Sequence, residues 1–285
     1  MGPAGAAAPT APLLSSVEMA RFATDGYLRF DELIDPKLSA AMLEAMLDPG
    51  FPPTVSPDPA RGSGSPLADV LAGWPAVCEP IRRFAALPAV RGIVESLTGP
   101  EPLYDHHAVH VTAKGVRAAD EWHADLVASR RKQFDIELLF FPADTPREMG
   151  GTMILPGSHF RQVSGAEIGR YQNFQGQVAT VCRAGTLIAM HHALWHCAQP
   201  NVTDRPRYMF KLVVNPSRPQ QLTWDTSDLD DRRVNEILQT TNHRWYGEEL
   251  MLELVHRAEL WMYLRGGDRD TTYLLRRLDE TDHEL

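Results

Sequence analysis

The spacing of apolar and polar residues changes twice along the chain. Up to residue 97 the apolar positions follow the period of amphipathic helices and are interrupted by prolines. From residue 103 to 214 they form short runs rich in β-branched and aromatic residues, separated by Gly, Pro, Asp and Arg. After residue 228 the helical spacing returns. This order predicts a β core between two helical regions.

The helical pattern is divided by capping residues and prolines. We expect helices over residues 16–26 and 35–46, and several shorter ones over 67–97, broken at Pro75, Pro80 and Pro88. Residues 52–66 are rich in Pro, Gly and Ser and predict a loop, which would be well placed to move over a binding site.

Six short runs in the middle of the chain have the character of strands. Many short strands separated by turn residues predict a mainly β double-stranded β-helix, that is, a jelly-roll, cupin-like core with flanking helices. The predicted strands cover residues 103–113, 134–142, 152–155, 177–183, 186–191 and 207–214.

These patterns divide the chain into three parts. Residues 1–15 are expected to be a disordered tail, because they consist mainly of Ala, Pro and Gly. Residues 16–218 would form the jelly-roll domain with its N-terminal helical layer. Residues 219–285 would form a C-terminal helical extension packed on the core, which also offers a surface for a homodimer.

Composition narrows the class of protein. The 285 residues are 44% hydrophobic, enough for a sizeable core, and carry a net charge of −9, which disfavours nucleic acid and anionic membranes as partners. No apolar run is long enough to span a bilayer. The first 14 residues lack the basic start of a secretory signal, and the three cysteines fit no disulfide framework. We therefore expect a soluble, cytoplasmic protein.

A histidine and a carboxylate two residues apart, His123 and Asp125, are the first candidate metal ligands. On an extended strand, residues i and i+2 point to the same face, so both side chains would reach one metal ion. A His-x-Asp pair alone occurs readily by chance in a chain with 11 His and 37 acidic residues. Two histidines with one carboxylate, however, are the ligand set of non-haem Fe(II) oxygenases, which leaves coordination positions open.

The second histidine has three candidates, His191, His192 and His196. We choose His196, because a turn-like segment follows it and leads to Arg207 at the start of the next strand. An arginine there is suited to hold a dicarboxylic acid beside the metal. His191 and His192 are then neighbours of the metal site or ordinary pocket residues.

Taken together, these segments resemble the phytanoyl-CoA dioxygenase family of Fe(II)/2-oxoglutarate-dependent oxygenases. The resemblance covers about residues 16–218. It implies that His123, Asp125 and His196 bind Fe(II), that Arg207 pairs with 2-oxoglutarate, and that O2 is the second co-substrate. It is carried by Trp122-His123-Ala124-Asp125, by the segment from Gly150 to His159, by His196 with Asn201, and by Arg207.

The same resemblance implies that strand 103–113 borders the co-substrate. Thr112 or Lys114 would then assist Arg207; a polar lining or a solvated strand end is the other interpretation. The expected activity is the oxidation of a C–H bond, by default a hydroxylation, of a small molecule such as a specialised metabolite, with release of succinate and CO2. Two other functions stay open. One is a catalytically silent jelly-roll binding or scaffold protein, and the other is a metal enzyme that does not use 2-oxoglutarate.

Overall fold

The computed structural model describes residues 11–52, 54–55, 65–125, 133–161, 168–241 and 246–267. Most of the predicted tail 1–15, most of the predicted loop 52–66 and the end of the predicted C-terminal helical region lie outside these residues.

Two capped helices open the described part of the chain. Helix α1 (Ser16–Asp25) begins with a capping box, in which Ser15 and Glu18 each accept a hydrogen bond from the backbone N–H of the other. Helix α2 (Pro36–Leu47) begins at Asp35, whose carboxylate accepts hydrogen bonds from the next free backbone N–H groups. Helices were predicted over residues 16–26 and 35–46, and both form there.

Three further helices confirm the predicted helical region, with one correction at Pro80. That residue does not break a helix but lies in the first turn of α4, where proline is tolerated because its missing N–H has no partner to lose. The helices are α3 (Leu67–Ala72), α4 (Glu79–Ala86) and α5 (Pro88–Thr98).

A seven-stranded antiparallel sheet forms one half of the core. Its strand order is β1-β8-β5-β10-β4-β2, with β3 paired to β4 as well. Short β1 was not expected, because its four residues carry no clear alternation. The strands are β1 (Tyr27–Phe30), β2 (Thr54–Val55), β3 (Ser65–Pro66), β4 (Leu103–Thr112), β5 (Ile136–Phe141), β8 (Thr186–His191) and β10 (Arg207–Asn215).

A second antiparallel sheet has the order β7-β6-β9 and forms the other half. Its strands are β6 (Thr152–Ile154), β7 (Val178–Ala179) and β9 (His196–Ala198). The predicted strand 177–183 is therefore wrong in length, and β9 was missed. Ile154 packs with residues of the large sheet, so the two sheets enclose a common apolar interior. They form a jelly roll that does not close into a barrel.

The two faces of the large sheet pack against different parts of the molecule. Its outer face packs against the helices in the main core, which holds Leu138 of β5, Leu212 of β10 and Phe22 of α1. Its inner face points toward the small sheet and contributes Leu139, Ile188 and Met209, among others. Polar residues on this inner face are therefore the ones that reach the interior of the jelly roll.

Two helices follow the core: α6 (Arg232–Leu238) and α7 (Glu248–Leu264). The apolar face of α7 is buried in the main core, where Trp261 lies 5.7 Å from Trp224 between ring centroids. Both helices contact α1. Among the described residues, no helix combines the length and apolarity needed to cross a bilayer.

Candidate metal centre

Three potential metal-binding side chains converge at one end of the jelly roll. Nε2 of His123 lies 3.6 Å from Oδ1 of Asp125, and Nε2 of His196 lies 4.0 Å from the same oxygen. One donor atom from each residue lies within 4.8 Å of the other two. The structure thus brings together the two histidines and the carboxylate that the sequence singled out.

Backbone hydrogen bonds connect the two histidines directly. The N–H of His123 donates to the carbonyl of His196 at 3.0 Å, and the N–H of His196 donates back at 2.9 Å. This is an isolated bridge, so the expectation that His123 and Asp125 share a regular strand was wrong. A single antiparallel pairing beside β9 is enough to set the two imidazole rings 4.4 Å apart.

The ring orientation of both histidines is fixed by carbonyl groups. Nδ1 of His123 lies 2.8 Å from the carbonyl of Glu121, and Nδ1 of His196 lies 2.9 Å from the carbonyl of Leu194. A carbonyl only accepts, so each Nδ1 must carry the proton. In the neutral ring Nε2 is then left with its lone pair, which is the form that binds a metal ion.

Tryptophans next to the two histidines hold these segments in place. Trp122 and Trp195 are both buried, and their rings lie 5.1 and 5.5 Å from the ring of Phe174. The indole N–H of Trp122 donates to the carbonyl of Gln172 at 3.2 Å. The tryptophans therefore pack outside the small sheet, while the adjoining histidines point to the candidate metal position.

The electrostatic environment favours the metal-binding protonation states. Burial lowers the pKa of His196 to about 4, so its ring is neutral at physiological pH. Burial opposes ionisation of Asp125, but the neighbouring His196, Glu137 and Lys211 outweigh it and hold the pKa of this carboxyl well below its ordinary value. A neutral imidazole and a carboxylate are therefore ready to coordinate a cation.

Arg207 begins β10, is buried, and shares the inner face of the large sheet with Met209 of the same strand. Its Nη1 donates to the carbonyls of Met149 and Gln199 at 3.0 and 3.2 Å, and its Nη2 donates to the Thr112 hydroxyl at 2.7 Å. No carboxylate forms an ion pair with Arg207 within the described part of the chain. A buried guanidinium held only by neutral groups is suited to receive an anionic ligand.

The turn before Arg207 is organised by one buried amide. Asn201 donates through Nδ2 to the carbonyl of Arg205 at 2.7 Å, and its Oδ1 accepts from both the backbone and the hydroxyl of Thr203. Nδ2 also reaches the carbonyl of Thr112 at 3.3 Å. The turn predicted between His196 and Arg207 is therefore tied to the end of β4.

Gly150 permits a close approach on the other side of Arg207. Its φ is +83°, and a Cβ atom there would lie 2.5 Å from the carbonyl oxygen of Pro200 and 2.8 Å from Nη1 of Arg207. Only glycine fits this position, because an added methyl group would displace both neighbours.

The remaining predicted residues lie in different surroundings. Lys114 lies in an exposed turn after β4 and forms no hydrogen bond or ion pair with any other described residue, so its role stays a prediction. His191 is buried between Phe134 and His159, at ring distances of 5.0 Å from each. Nε2 of His192 lies 3.3 Å from Oε1 of Glu137. His192 is thus the closer neighbour of the candidate metal centre.

Two charged residues of the site were missed by the sequence reasoning. Glu137 on β5 is completely buried, and Lys211 on β10 places Nζ 2.6 Å from Oδ2 of Asp125. Burial, reinforced by the charge of Asp125, raises the pKa of Glu137 well above its ordinary value. Burial would lower the pKa of Lys211, but Glu137 and Asp125 raise it on balance. The signal that could have revealed each residue was a charge flanked by apolar residues within a predicted strand.

A bulge in β4 adds further polar groups on this side. The register slips between Val213 and Val214 of β10, which leaves Asp105 as the extra residue of β4. Asp105 accepts from Asn215 at 3.0 Å and lies 2.6 Å from Nδ1 of His106. Burial lowers the pKa of His192; among the smaller effects, Asp105 raises it and His106 lowers it.

Solved structures of other proteins share this fold. One is the non-haem α-ketoglutarate-dependent epimerase SnoN from nogalamycin biosynthesis, 23% identical over 71% of this chain and 84% of that chain, with a TM-score of 0.53. Another is EctD from S. alaskensis with 2-oxoglutarate and 5-hydroxyectoine, 19% identical over 74% and 79%, with a TM-score of 0.54. The carbocyclase SnoK, also from nogalamycin biosynthesis, is 17% identical over 82% and 93%, with a TM-score of 0.51.

Sequence comparison gives the family directly. No curated protein matches the chain in sequence. The family model described as phytanoyl-CoA dioxygenase matches residues 22–209, which include His123, Asp125, His196 and Arg207. The chain therefore belongs to the phytanoyl-CoA dioxygenase family.

Proposed function

We propose that this protein is a non-haem Fe(II)- and 2-oxoglutarate-dependent dioxygenase that oxidises a C–H bond of a small molecule. The observation that carries the proposal is the convergence of His123, Asp125 and His196, with both Nε2 lone pairs free for a metal ion. Two neutral imidazoles and one carboxylate match the ligand preference of Fe(II) and leave positions for two co-substrates.

The residues present fit the two groups that the family implies. His123, Asp125 and His196 would hold Fe(II), and the iron would supply the activation of O2 that oxidises both 2-oxoglutarate and the substrate. Arg207 would bind the distal carboxylate of 2-oxoglutarate through its remaining N–H groups, because Met149, Gln199 and Thr112 already fix its plane. The chain contributes orientation and electrostatics to this chemistry.

Hydroxylation of a polar small molecule, such as a specialised metabolite, is the outcome that we propose. The described structure leaves Oδ1 of Asn215 and Nδ1 of His192 buried without a hydrogen-bond partner. Such atoms favour a substrate that brings its own donors and acceptors. A cytoplasmic location and a homodimer formed through the C-terminal helices stay predictions.

Turnover of the co-substrate tests the proposal. Purified protein is reconstituted with Fe(II) under anaerobic conditions, mixed with 2-oxoglutarate and oxygenated buffer, and succinate is measured with and without a panel of small polar molecules. We expect Fe(II)-dependent succinate that an active substrate increases and that His123→Ala abolishes. Absence of Fe(II) binding would instead favour the scaffold function, and a substrate that gains no oxygen atom would contradict hydroxylation.

A further inference from the structure

The two oxygens of Asp125 face different partners. Oδ1 points toward the candidate metal position, since it lies 3.6 and 4.0 Å from Nε2 of His123 and His196. Oδ2 lies 2.6 Å from Nζ of Lys211, which donates a charge-assisted hydrogen bond to it. One oxygen is therefore available to a metal ion, while the other is already bound to a cation that belongs to the chain.

Lys211 is held in this place by the sheet and by a second carboxyl group. It lies within β10, paired with Leu139 of β5 and Ala108 of β4, and only 9% of the residue is exposed. Glu137 is on the same inner face of the adjacent strand and interacts electrostatically with Lys211. A buried lysine without such partners would be strongly unfavourable, so this ammonium group is positioned rather than free to swing into solvent.

We propose that Lys211 is a positioning residue that restricts Asp125 to coordination through Oδ1 alone. The inference rests on the proposed function and concerns how the metal site is kept open. Asp125 would then supply one oxygen and each histidine one nitrogen, and the remaining coordination positions would stay available to 2-oxoglutarate and O2. If Oδ2 also bound the metal, one of these positions would be lost.

The ammonium group has two opposite effects on ligands of the site. Its positive charge repels a divalent cation bound to the same carboxylate, so its removal should strengthen metal binding. Its removal also releases Oδ2 to chelate the metal, so binding of 2-oxoglutarate to the metal-loaded protein should weaken. General damage to the site would weaken both. The opposite signs therefore distinguish positioning from a merely structural role.

The test uses Lys211→Met, which replaces the ammonium group by an apolar side chain of similar length. Mn(II) binding is measured by electron paramagnetic resonance, and 2-oxoglutarate binding to the Mn(II)-loaded protein by calorimetry, both without oxygen. We expect Mn(II) affinity to rise and 2-oxoglutarate affinity to fall, each by about tenfold, the range typical of residues that orient metal ligands. Lys211→Arg should stay near the wild-type values, since it keeps the cation.

One control variant and one substitute variant make the result decisive. Lys37→Met removes an exposed lysine at the start of α2 and should change neither affinity. If Lys211→Met unfolds, which circular dichroism detects, the double variant Lys211→Met with Glu137→Gln takes its place, because it also removes the buried ionisable carboxyl group next to Lys211. The visible spectrum of the Co(II)-loaded protein should shift in the Lys211→Met or double variant and not in Lys37→Met.

The possible failures are distinguishable. Wild-type protein that binds neither Mn(II) nor 2-oxoglutarate would overturn the proposed function itself. Wild-type binding with parallel losses in the Lys211→Met protein, or with no change in either affinity, would overturn only the role of Lys211.

Discussion

Thr112 and Arg207 face each other across strands β4 and β10, with Oγ1 of Thr112 2.7 Å from Nη2 of Arg207. They are direct partners in the antiparallel register, so their side chains leave the sheet on the same face. The threonine hydroxyl thereby adds a third contact to a guanidinium that the carbonyls of Met149 and Gln199 also hold. This relationship makes the end of β4 part of the proposed 2-oxoglutarate site.

The first prediction concerns Arg207. Arg207→Ala should raise the KM for 2-oxoglutarate by at least about tenfold, because a charge-assisted pair contributes roughly 1.5–3 kcal/mol. Arg207→Lys should recover only part of this, since lysine lacks the planar fork. Steady-state succinate release at varied 2-oxoglutarate provides the measurement.

Neighbouring residues serve as comparisons for this variant. Thr112→Val should give a smaller increase in KM, because the arginine keeps its contacts with Met149 and Gln199. Lys114→Ala tests whether that exposed lysine assists Arg207. A larger effect from Arg205→Ala than from Arg207→Ala would move the co-substrate site by two residues.

The second prediction concerns the choice of histidine. His196→Ala should reduce Mn(II) affinity by more than about tenfold, because two remaining ligands do not define the site. His192→Ala should have a smaller effect, since Nε2 of His192 faces Glu137. Anaerobic calorimetry measures both, and the reverse order of effects would show that His192 is the ligand.

The third prediction concerns Gly150. Gly150→Ala should destabilise the fold by at least about 2 kcal/mol and weaken 2-oxoglutarate binding, because the methyl group meets Pro200 and Arg207. Gly115→Ala is the matched control: its φ is +73°, but nothing lies within 4 Å of an added Cβ. Urea unfolding of both variants separates backbone strain from steric contact, and equal effects would contradict the steric explanation.

The fourth prediction concerns acid stability. Burial, and to a lesser extent His192, lowers the pKa of His191 to about 3, against 6.5 for an ordinary histidine. Below pH 6.5, His191 therefore binds a proton in the unfolded chain but not in the folded one. The free energy of unfolding falls as the pH decreases toward 3. From pH 6.5 to 5 this one group should remove about 2 kcal/mol.

His191→Phe tests this acid sensitivity. The variant keeps an aromatic ring between Phe134 and Phe22, so the packing is largely preserved. The difference in free energy of unfolding between pH 6.5 and pH 5 should shrink by about 2 kcal/mol relative to wild type. The same pH dependence in both proteins would mean that His191 is not the titrating group.

Local patterns predicted those parts of the structure that depend on neighbouring residues. The capping box at Ser15 and Glu18 and the run 186–191 contain their structural signal within a few residues, and both elements form where expected. The bridge between His123 and His196 joins residues far apart in the chain, so no local spacing of residues predicts it. The predicted strand at His123 was wrong for this reason.

Charged residues of the interior were harder to assign. Glu137 and Lys211 are each flanked by apolar residues in their strands, and each one alone looks like an isolated irregularity. Their place in the site depends on the strand order, because β5 and β10 are far apart in the chain and become neighbours only in the folded sheet. Position on the inner face, next to Asp125, could not be deduced before the sheet was known.

The reciprocal backbone hydrogen bonds between His123 and His196 preorganise the candidate metal site, so that its two imidazoles are in place before a metal ion binds. The chain itself sets the separation of the two imidazoles, so an incoming ion meets ligands that are already ordered and little conformational entropy is lost on binding. Ions of similar size, such as Mn(II), Co(II) and Ni(II), should therefore occupy the same place without rearrangement. In the metal-free protein, the amide protons of His123 and His196 should exchange with solvent as slowly as those of the sheet.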